Sequence, residues 1–295
     1  MSGDTLVAAP AEPAPRHRRT TLGDRVRLVL RGIGQTLITF GLIVLLFAVY
    51  EVWITNIFAH RAQQKVYNAL EQEWRNGQDP LALPGSGVRT IPIGTGIAVM
   101  YVPRLGADYH FAIVEGSVVP DDSQLEKGPA HYADTQLPGE LGNFGIAGHR
   151  VGKGEPFLNL DKLRAGDPVI IQTKQYWFVY RVLGSPAGSD PQDNMADVGI
   201  KGDPQVDSVE VPGREIVDPG AGQVLLPIPN HPEYSVDNAT VGLLTMTTCH
   251  PKFTASQRMI VHAELDTSLT VDLGAKNKDF KMPKSILDLY SEVSA

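Results

Sequence analysis

Cysteine is almost missing from this chain: Cys249 is the single example in 295 residues. An internal disulfide framework and any multi-cysteine metal site are thereby excluded. Internal repeats are lacking, which excludes a solenoid or propeller array. Basic charge is scarce where a nucleic-acid interface would need it. Residues 1–32 hold six arginines against three acids, so the rest of the chain carries 20 basic and 30 acidic residues. A basic tail on an acidic body argues against nucleic acid as a partner. The carboxylates show no recognisable calcium-ligand spacing; neither a metal nor a cofactor is expected. Only one apolar run is long, Ile33–Ile54.

That run, IGQTLITFGLIVLLFAVYEVWI, is interrupted only by Gln35, two threonines and Glu51. Its length is about the 20 residues that cross a bilayer. The arginines before it predict a cytoplasmic N-terminus, and Tyr50 and Trp53 sit where an interfacial aromatic belt belongs. A cleaved signal peptide is the competing reading, but the run is too long for one and no small-x-small site follows it. The expected organisation is a basic, disordered cytoplasmic tail over 1–32 and a single-pass anchor in the cell membrane over 33–55. An extracytoplasmic helix and linker over 56–94, a folded extracellular domain over 95–267 and a tail over 268–295 follow. In the helix, Ala59, Ala62, Val66, Leu70 and Trp74 recur at spacings of three and four, and Gly77 follows its last turn. It is either a stalk or packed on the body.

Beyond residue 95 the pattern turns to short strands. Ile97–Val102, Tyr109–Glu115, Asn143–Ala147, Pro168–Thr173, Tyr176–Leu183, Arg214–Asp218, Gln223–Pro227, Val241–Cys249 and Gln257–Leu265 are strand candidates. In Tyr176–Leu183, the residues Tyr176, Phe178, Tyr180 and Val182 share one face; in the last strand Arg258, Ile260, His262 and Glu264 share another. Residues 121–140 hold at most one short helix, and 184–213 read as a long polar loop. Ile286–Val293 is amphipathic, with no role assigned by its sequence. Such a run of short strands predicts an all-β fold, a closed or nearly closed β-barrel.

The chemistry gathers at Thr245-Met246-Thr247-Thr248-Cys249-His250-Pro251, where an apolar strand stops at a proline. A thiol with an ordinary pKa of about 8.5 is only a few per cent thiolate at neutral pH, so it needs a proton partner or a cation. The chain has eight histidines. His17 and His60 flank the membrane run, His110 lies within a strand, and His231 sits between prolines. His250 adjoins Cys249, and neighbours on a strand point to opposite faces. His131 and His149 remain, with His262 as an outsider. His149 follows a strand candidate and two small residues, so it can meet a strand-end cysteine across a barrel rim. Arg258, on the next strand, can donate to a developing oxyanion or hold a substrate backbone; most arginines on strands are simply solvated.

The runs Gly145-Ile146-Ala147-Gly148-His149-Arg150 and Thr245-Met246-Thr247-Thr248-Cys249, followed by Arg258, resemble the sortase signature. His149 precedes Cys249 by 100 residues, and Arg258 follows it by nine. The flanking text, HYADTQLPGELGNFGIAGHR and TTCHPKFTASQRMIVHAEL, is similar to the class E sortases of high-GC Gram-positive bacteria. The resemblance covers roughly residues 95–265 and extends to the N-terminal anchor. It implies a sortase-type eight-stranded β-barrel and a cysteine transpeptidase. By that resemblance Cys249 is the nucleophile that cleaves a C-terminal LAxTG- or LPxTG-like sorting signal between Thr and Gly, through a thioacyl-enzyme. His149 is the proton donor and acceptor, Arg258 positions the oxyanion or substrate, and Thr248 and Tyr132 are candidate groove residues. The implied partners are surface proteins bearing the sorting signal and a peptidoglycan-precursor amine of the lipid II type. Met246 stands where the family has leucine, and the 184–213 segment is longer than its counterpart.

Rival readings fit less well. An L,D-transpeptidase places His-Gly before its cysteine, and a papain-like protease places cysteine before histidine. A pilin-polymerising sortase carries an Asp-Pro-aromatic lid and a second span; here Asp79-Pro80 precedes Leu81, and Ser268–Ala295 holds no span. A membrane-anchored binding module with an inert Cys249 is the non-enzymatic alternative.

Overall fold

The computed structural model describes residues 22–50, 55–82, 91–116, 123–185, 205–206 and 209–293. The chain divides into two compact units, Met1–Tyr50 and Glu51–Ala295. In the first, helix α1 spans Leu22–Val49. Its segment Arg25–Phe47 is long and apolar enough to cross a membrane, and none of it is buried within the protein. Its two threonines suit that setting: Thr36 Oγ1 donates to the Gly32 carbonyl and Thr39 Oγ1 to that of Gln35, both at 2.9 Å. A hydroxyl bonded one turn back needs no water. The helix begins earlier than the apolar run, taking in Arg25, Arg27 and Arg31, because arginine is itself a good helix former. Trp53 lies outside the described residues.

The second unit opens with α2, Thr55–Arg75. Its strands are β1 Gly96–Tyr101, β2 His110–Glu115, β3 Ala130–His131, β4 Gly142–Ala147, β5 Pro168–Gln172, β6 Tyr176–Val182, β7 Gln205–Val206, β8 Val209–Glu210, β9 Arg214–Val217, β10 Gly242–His250, β11 Gln257–Leu265 and β12 Val271–Asp272. Helix α3, Lys284–Glu292, closes the series. Eight strands form a closed barrel in the order β6, β5, β1, β2, β3, β4, β10, β11 and back to β6. Most neighbours are antiparallel; β4–β10 and β2–β3 run parallel. β11 divides its outer edge, pairing Arg258–Val261 with β9 and Ala263–Leu265 with β6. Gly213 lies at that junction, where a Cβ would stand 1.9 Å from the Leu183 carbonyl oxygen, so no other residue fits.

Alternation fills the barrel. Phe144 and Ile146 from β4, Leu244 and Met246 from β10, and Met259, Val261 and Ala263 from β11 meet Ile113, Ile171 and Tyr180 in one core. Met246 is fully buried there, a flexible apolar residue in a site that leucine would also fill. Outside the barrel, α2 packs on the body: Leu70 and Trp74 bury against Val99. Gln63 reinforces that contact by bonding both the amide and the carbonyl of Ala112. The C-terminal amphipathic stretch is α3, whose Ile286 and Leu289 cover Ile170, Trp177 and Val179.

Two local expectations change. Gln223–Pro227 is not a strand; Gly222–Leu225 forms a 3-10 turn. The reason is that Asn143 Nδ2 takes the carbonyls of Val224 and Leu226, at 3.2 and 3.0 Å, which a ladder would have needed. β3 lies within 121–140, where no strand is expected; it is only two residues long. Of the 184–213 segment, residues 186–204 and 207–208 lie outside the described residues, as do 83–90 of the linker.

Candidate active site

β10 is the floor of the site. Leu244 and Met246 point into the core, so Thr245, Thr247 and Cys249 alternate onto the outer face. On β11 the interior positions are Met259, Val261 and Ala263, which turns Arg258 outward. Cys249 and Arg258 are direct partners in the β10–β11 register, so their side chains share one face. On the other side, parallel β4 pairs Ala147 with Thr247, and one further rung follows, Gly148 N–H to the Thr247 carbonyl at 3.0 Å. Cys249 and His149 therefore each stand two residues beyond the same parallel pair. Adjacent strands lie about 4.8 Å apart, so the register brings Cys249 beside the end of β4, from which His149 follows. Both residues are partly exposed.

The sequence before His149 is shaped by what surrounds it. A Cβ on Gly148 would stand 2.5 Å from Phe157 Cδ2, so the ring of Phe157 requires glycine there. The Phe157 amide in turn donates to the His149 carbonyl at 3.0 Å. A Cβ on Gly145 would stand 2.9 Å from Leu225 and 3.2 Å from Thr135 and Tyr132. Leu225 and Tyr132 thus approach each other above a floor that carries no side chain. The Tyr132 hydroxyl lies 2.8 Å from Thr247 Oγ1. Burial pushes the Tyr132 phenol up, the Thr247 bond and the Arg258 charge pull it down, and the Cys249 charge pushes it up again; the net direction is upward. Tyr132, Cys249 and Arg258 hence lie within electrostatic reach of one another. Arg258 Nη1 rests on the carbonyls of Ala255 and Gln257, each at 3.0 Å.

Thr248 is not on this face. The residue is 3% exposed, and its hydroxyl donates to the Gly148 carbonyl at 2.7 Å. It ties two strand ends together and does not line the groove, because alternation turns it away from Cys249. The other histidines are engaged elsewhere. His131 Nδ1 meets Glu115 Oε2 at 2.8 Å and its Nε2 faces the Gln136 carbonyl at 3.0 Å, both in the interior. His262 is enclosed between Thr245 Oγ1 at 2.8 Å and Glu215 Oε1 at 3.0 Å. Burial opposes ionisation of Glu215, but the His262 bond and charge outweigh it and hold the carboxyl below the usual range. Asp79, of the Asp-Pro pair, is bonded by Gln175 Nε2 at 2.7 Å, at the β5–β6 turn. Residues that sequence reasoning passed over include Thr247 and Leu225, whose side chains point to the groove only because of the register and the 3-10 turn. Among the described residues, no group of three or more His, Cys, Asp or Glu could hold a metal ion.

Comparison with known proteins gives the family. Sortase SrtE1 of Streptomyces coelicolor is 32% identical over 258 residues, which are 85% of this chain and 61% of that protein. Sortase SrtE2 of the same organism is 29% identical over 251 residues, 81% of this chain and 83% of that protein. Among solved structures, the SrtF sortase from Corynebacterium diphtheriae is 39% identical, covering 67% of this chain and 94% of its own, with a TM-score of 0.52. The sortase domain family matches residues 100–266, more than half of the chain and a span that contains His149, Cys249 and Arg258; the chain belongs to the sortase family.

Proposed function

We propose that this chain is a membrane-anchored cysteine transpeptidase that attaches surface proteins to a cell-wall precursor. The N-terminal arginines keep its N-terminus in the cytoplasm and α1 crosses the membrane, so the barrel works outside the cell. The observation that carries the reading is the register: Cys249 opposite Arg258 on β11, and His149 at the end of the parallel neighbour of β10. Thiol, proton carrier and cation are what acyl transfer through a thioester requires.

In the first half-reaction Cys249 Sγ, as thiolate, adds to the threonine carbonyl of the sorting signal. The oxyanion that forms is held by Arg258. The C–N bond to glycine breaks as His149 protonates the departing amine, leaving a thioester on Cys249. In the second half-reaction the amine of the precursor adds to that thioester, His149 takes the amine's proton, and the C–S bond breaks. Tyr132, Leu225 and the bare floor at Gly145 receive the residues before the threonine. The resemblance of HYADTQLPGELGNFGIAGHR and TTCHPKFTASQRMIVHAEL to class E sortases favours an LAxTG-type signal over LPxTG. A lipid II-like amine is the acceptor.

The test is mass spectrometry of the protein mixed with a peptide library carrying both signals. A covalent adduct on Cys249, absent from Cys249→Ala, is expected, and the bound peptides would report the preferred signal. Cleavage or transfer that survives Cys249→Ala would overturn the assignment.

A further inference from the structure

The ladder between β4 and β10 stops one rung too early for the nucleophile. Thr247 gives its carbonyl to the Gly148 amide. Two residues on, the Cys249 carbonyl points to the same side, and the amide of residue 150 would be its next partner. The chain has turned at His149, and that rung is not made by backbone. The Arg150 side chain makes it: Nη1 donates to the Cys249 carbonyl at 3.3 Å. The same nitrogen donates to His250 Nδ1 at 2.8 Å, and Nη2 stands 3.2 Å from Asp161 Oδ1.

This guanidinium is fixed. Its side chain is 3% exposed. Asp161 sits in the 3-10 turn Leu160–Lys162, and that turn is held by a second arginine. Arg214 Nη2, from β9, donates to the carbonyls of Asp161 and Leu163 at 3.1 and 2.8 Å. Lys252, in the β10–β11 connection, adds a contact to Asp161 Oδ1 at 3.6 Å. Burial opposes ionisation of Asp161, but its own backbone amide, Lys252 and Arg150 outweigh that and hold it below the usual carboxylate range. Burial and the Arg150 charge hold His250 below the usual imidazole range against the pull of Asp161; a guanidinium can only donate, so Nδ1 is the acceptor of the Arg150 bond.

We propose that Arg150 is a positioning residue of the transpeptidation: its guanidinium replaces the missing rung, fixes the backbone of Cys249, and sets the approach of the thiol to His149. One dipeptide, His149-Arg150, thereby delivers both the proton carrier and the tether of the nucleophile. A planar fork that reaches a carbonyl, a ring nitrogen and a carboxylate at once is a task for arginine and not lysine. The proposal rests on the reading of Cys249 as nucleophile and His149 as its proton partner.

The experiment compares Arg150→Lys, Asp161→Asn and Leu289→Ala with the parent as full chains in detergent. Leu289 lies on α3, outside the site, and serves as a fold-destabilising control. Thermal midpoint, kcat and KM for a Leu-Ala-x-Thr-Gly peptide are measured. Arg150→Lys is expected to lower kcat by at least about tenfold with KM little changed, since misplacement of a reacting group by about 1 Å can cost 10²-fold. Asp161→Asn keeps the guanidinium and should show a smaller loss of kcat in the same direction, which decides the matter if Arg150→Lys does not fold. Leu289→Ala should lower the midpoint and leave kcat unchanged. Parental kcat in a folded Arg150→Lys, or in Asp161→Asn when the lysine variant is unfolded, overturns the proposal. So does a kcat loss no greater than that of Leu289→Ala at the same drop in midpoint. A parent that forms no adduct on Cys249 fails the functional reading itself, a separate result.

Discussion

Two arcs of the same barrel wall are covered in opposite ways. Around β1, β5 and β6 the outer face is sealed by apolar packing: Leu70 and Trp74 of α2 on Val99, Ile286 and Leu289 of α3 on Ile170, Trp177 and Val179. Around β4, β10 and β11 the outer face is polar and hydrogen-bonded. Asn143, Thr245, His262, Glu215 and Asn230 form one chain of contacts of 2.8 to 3.0 Å across four strands and a loop, and Gly145 leaves the surface beside it bare. Apolar packing is non-directional and stabilises wherever it is placed. Hydrogen bonds fix angles, and a site needs its groups held in defined orientations on rigid elements. The barrel is therefore stabilised on one arc and aimed on the other.

Substitutions that separate stability from activity probe this division. Trp74→Ala has the largest expected effect, a loss of about 3–5 kcal/mol of stability from an emptied aromatic site, because Trp74 is 1% exposed. Thermal unfolding should show it, while kcat of the folded protein stays at the parental value; a fall in kcat at temperatures where the variant is folded would mean that the sealed arc also shapes the site. His149→Ala should do the reverse. General acid–base catalysis contributes about 10²–10⁴-fold, so single-turnover acylation should slow by at least about 10²-fold with the thermal midpoint nearly unmoved. Acylation at the parental rate would move the proton carrier to another group.

Much of this was legible from residue order. Strand periodicity located β6 and β11 and their faces: Phe178, Tyr180 and Val182 do face the core, and Arg258 does share the outer face with Ile260 and His262. Alternation also contained the answer for Thr248, since a residue next to an outward cysteine must turn inward. The losses came where partners are distant in sequence. The 3-10 turn at 222–225 depends on an Asn143 amide reaching Val224 and Leu226 from 81 and 83 residues away. β3 exists only because β2 and β4 flank it, and two residues carry no period. The Arg150–Asp161 contact crosses an irregular loop in which Lys153 and Glu155 hold positive φ, a path that no local pattern predicts.

The smallest expected effect tests the polar arc most directly. Thr245 Oγ1 donates to Asn143 Oδ1 and stands against His262 Nδ1, both at 2.8 Å. Thr245→Val keeps the volume and removes the hydroxyl, leaving the Asn143 oxygen and the His262 nitrogen each short of a partner in a site sealed from water. Such a deletion costs about 1–3 kcal/mol, less than emptying the Trp74 site. Its second consequence is local. Asn143 is the residue whose amide holds Val224 and Leu226, and Leu225 between them forms one wall above Gly145. A loosened Asn143 loosens that wall, so KM for the sorting peptide should rise several-fold while kcat, set at the far end of β10, changes little. Thr245→Ser restores the hydroxyl and should restore KM. If valine leaves KM untouched, or serine fails to recover it, the polar chain holds the fold and nothing more, and the contrast between the two arcs reduces to one of composition.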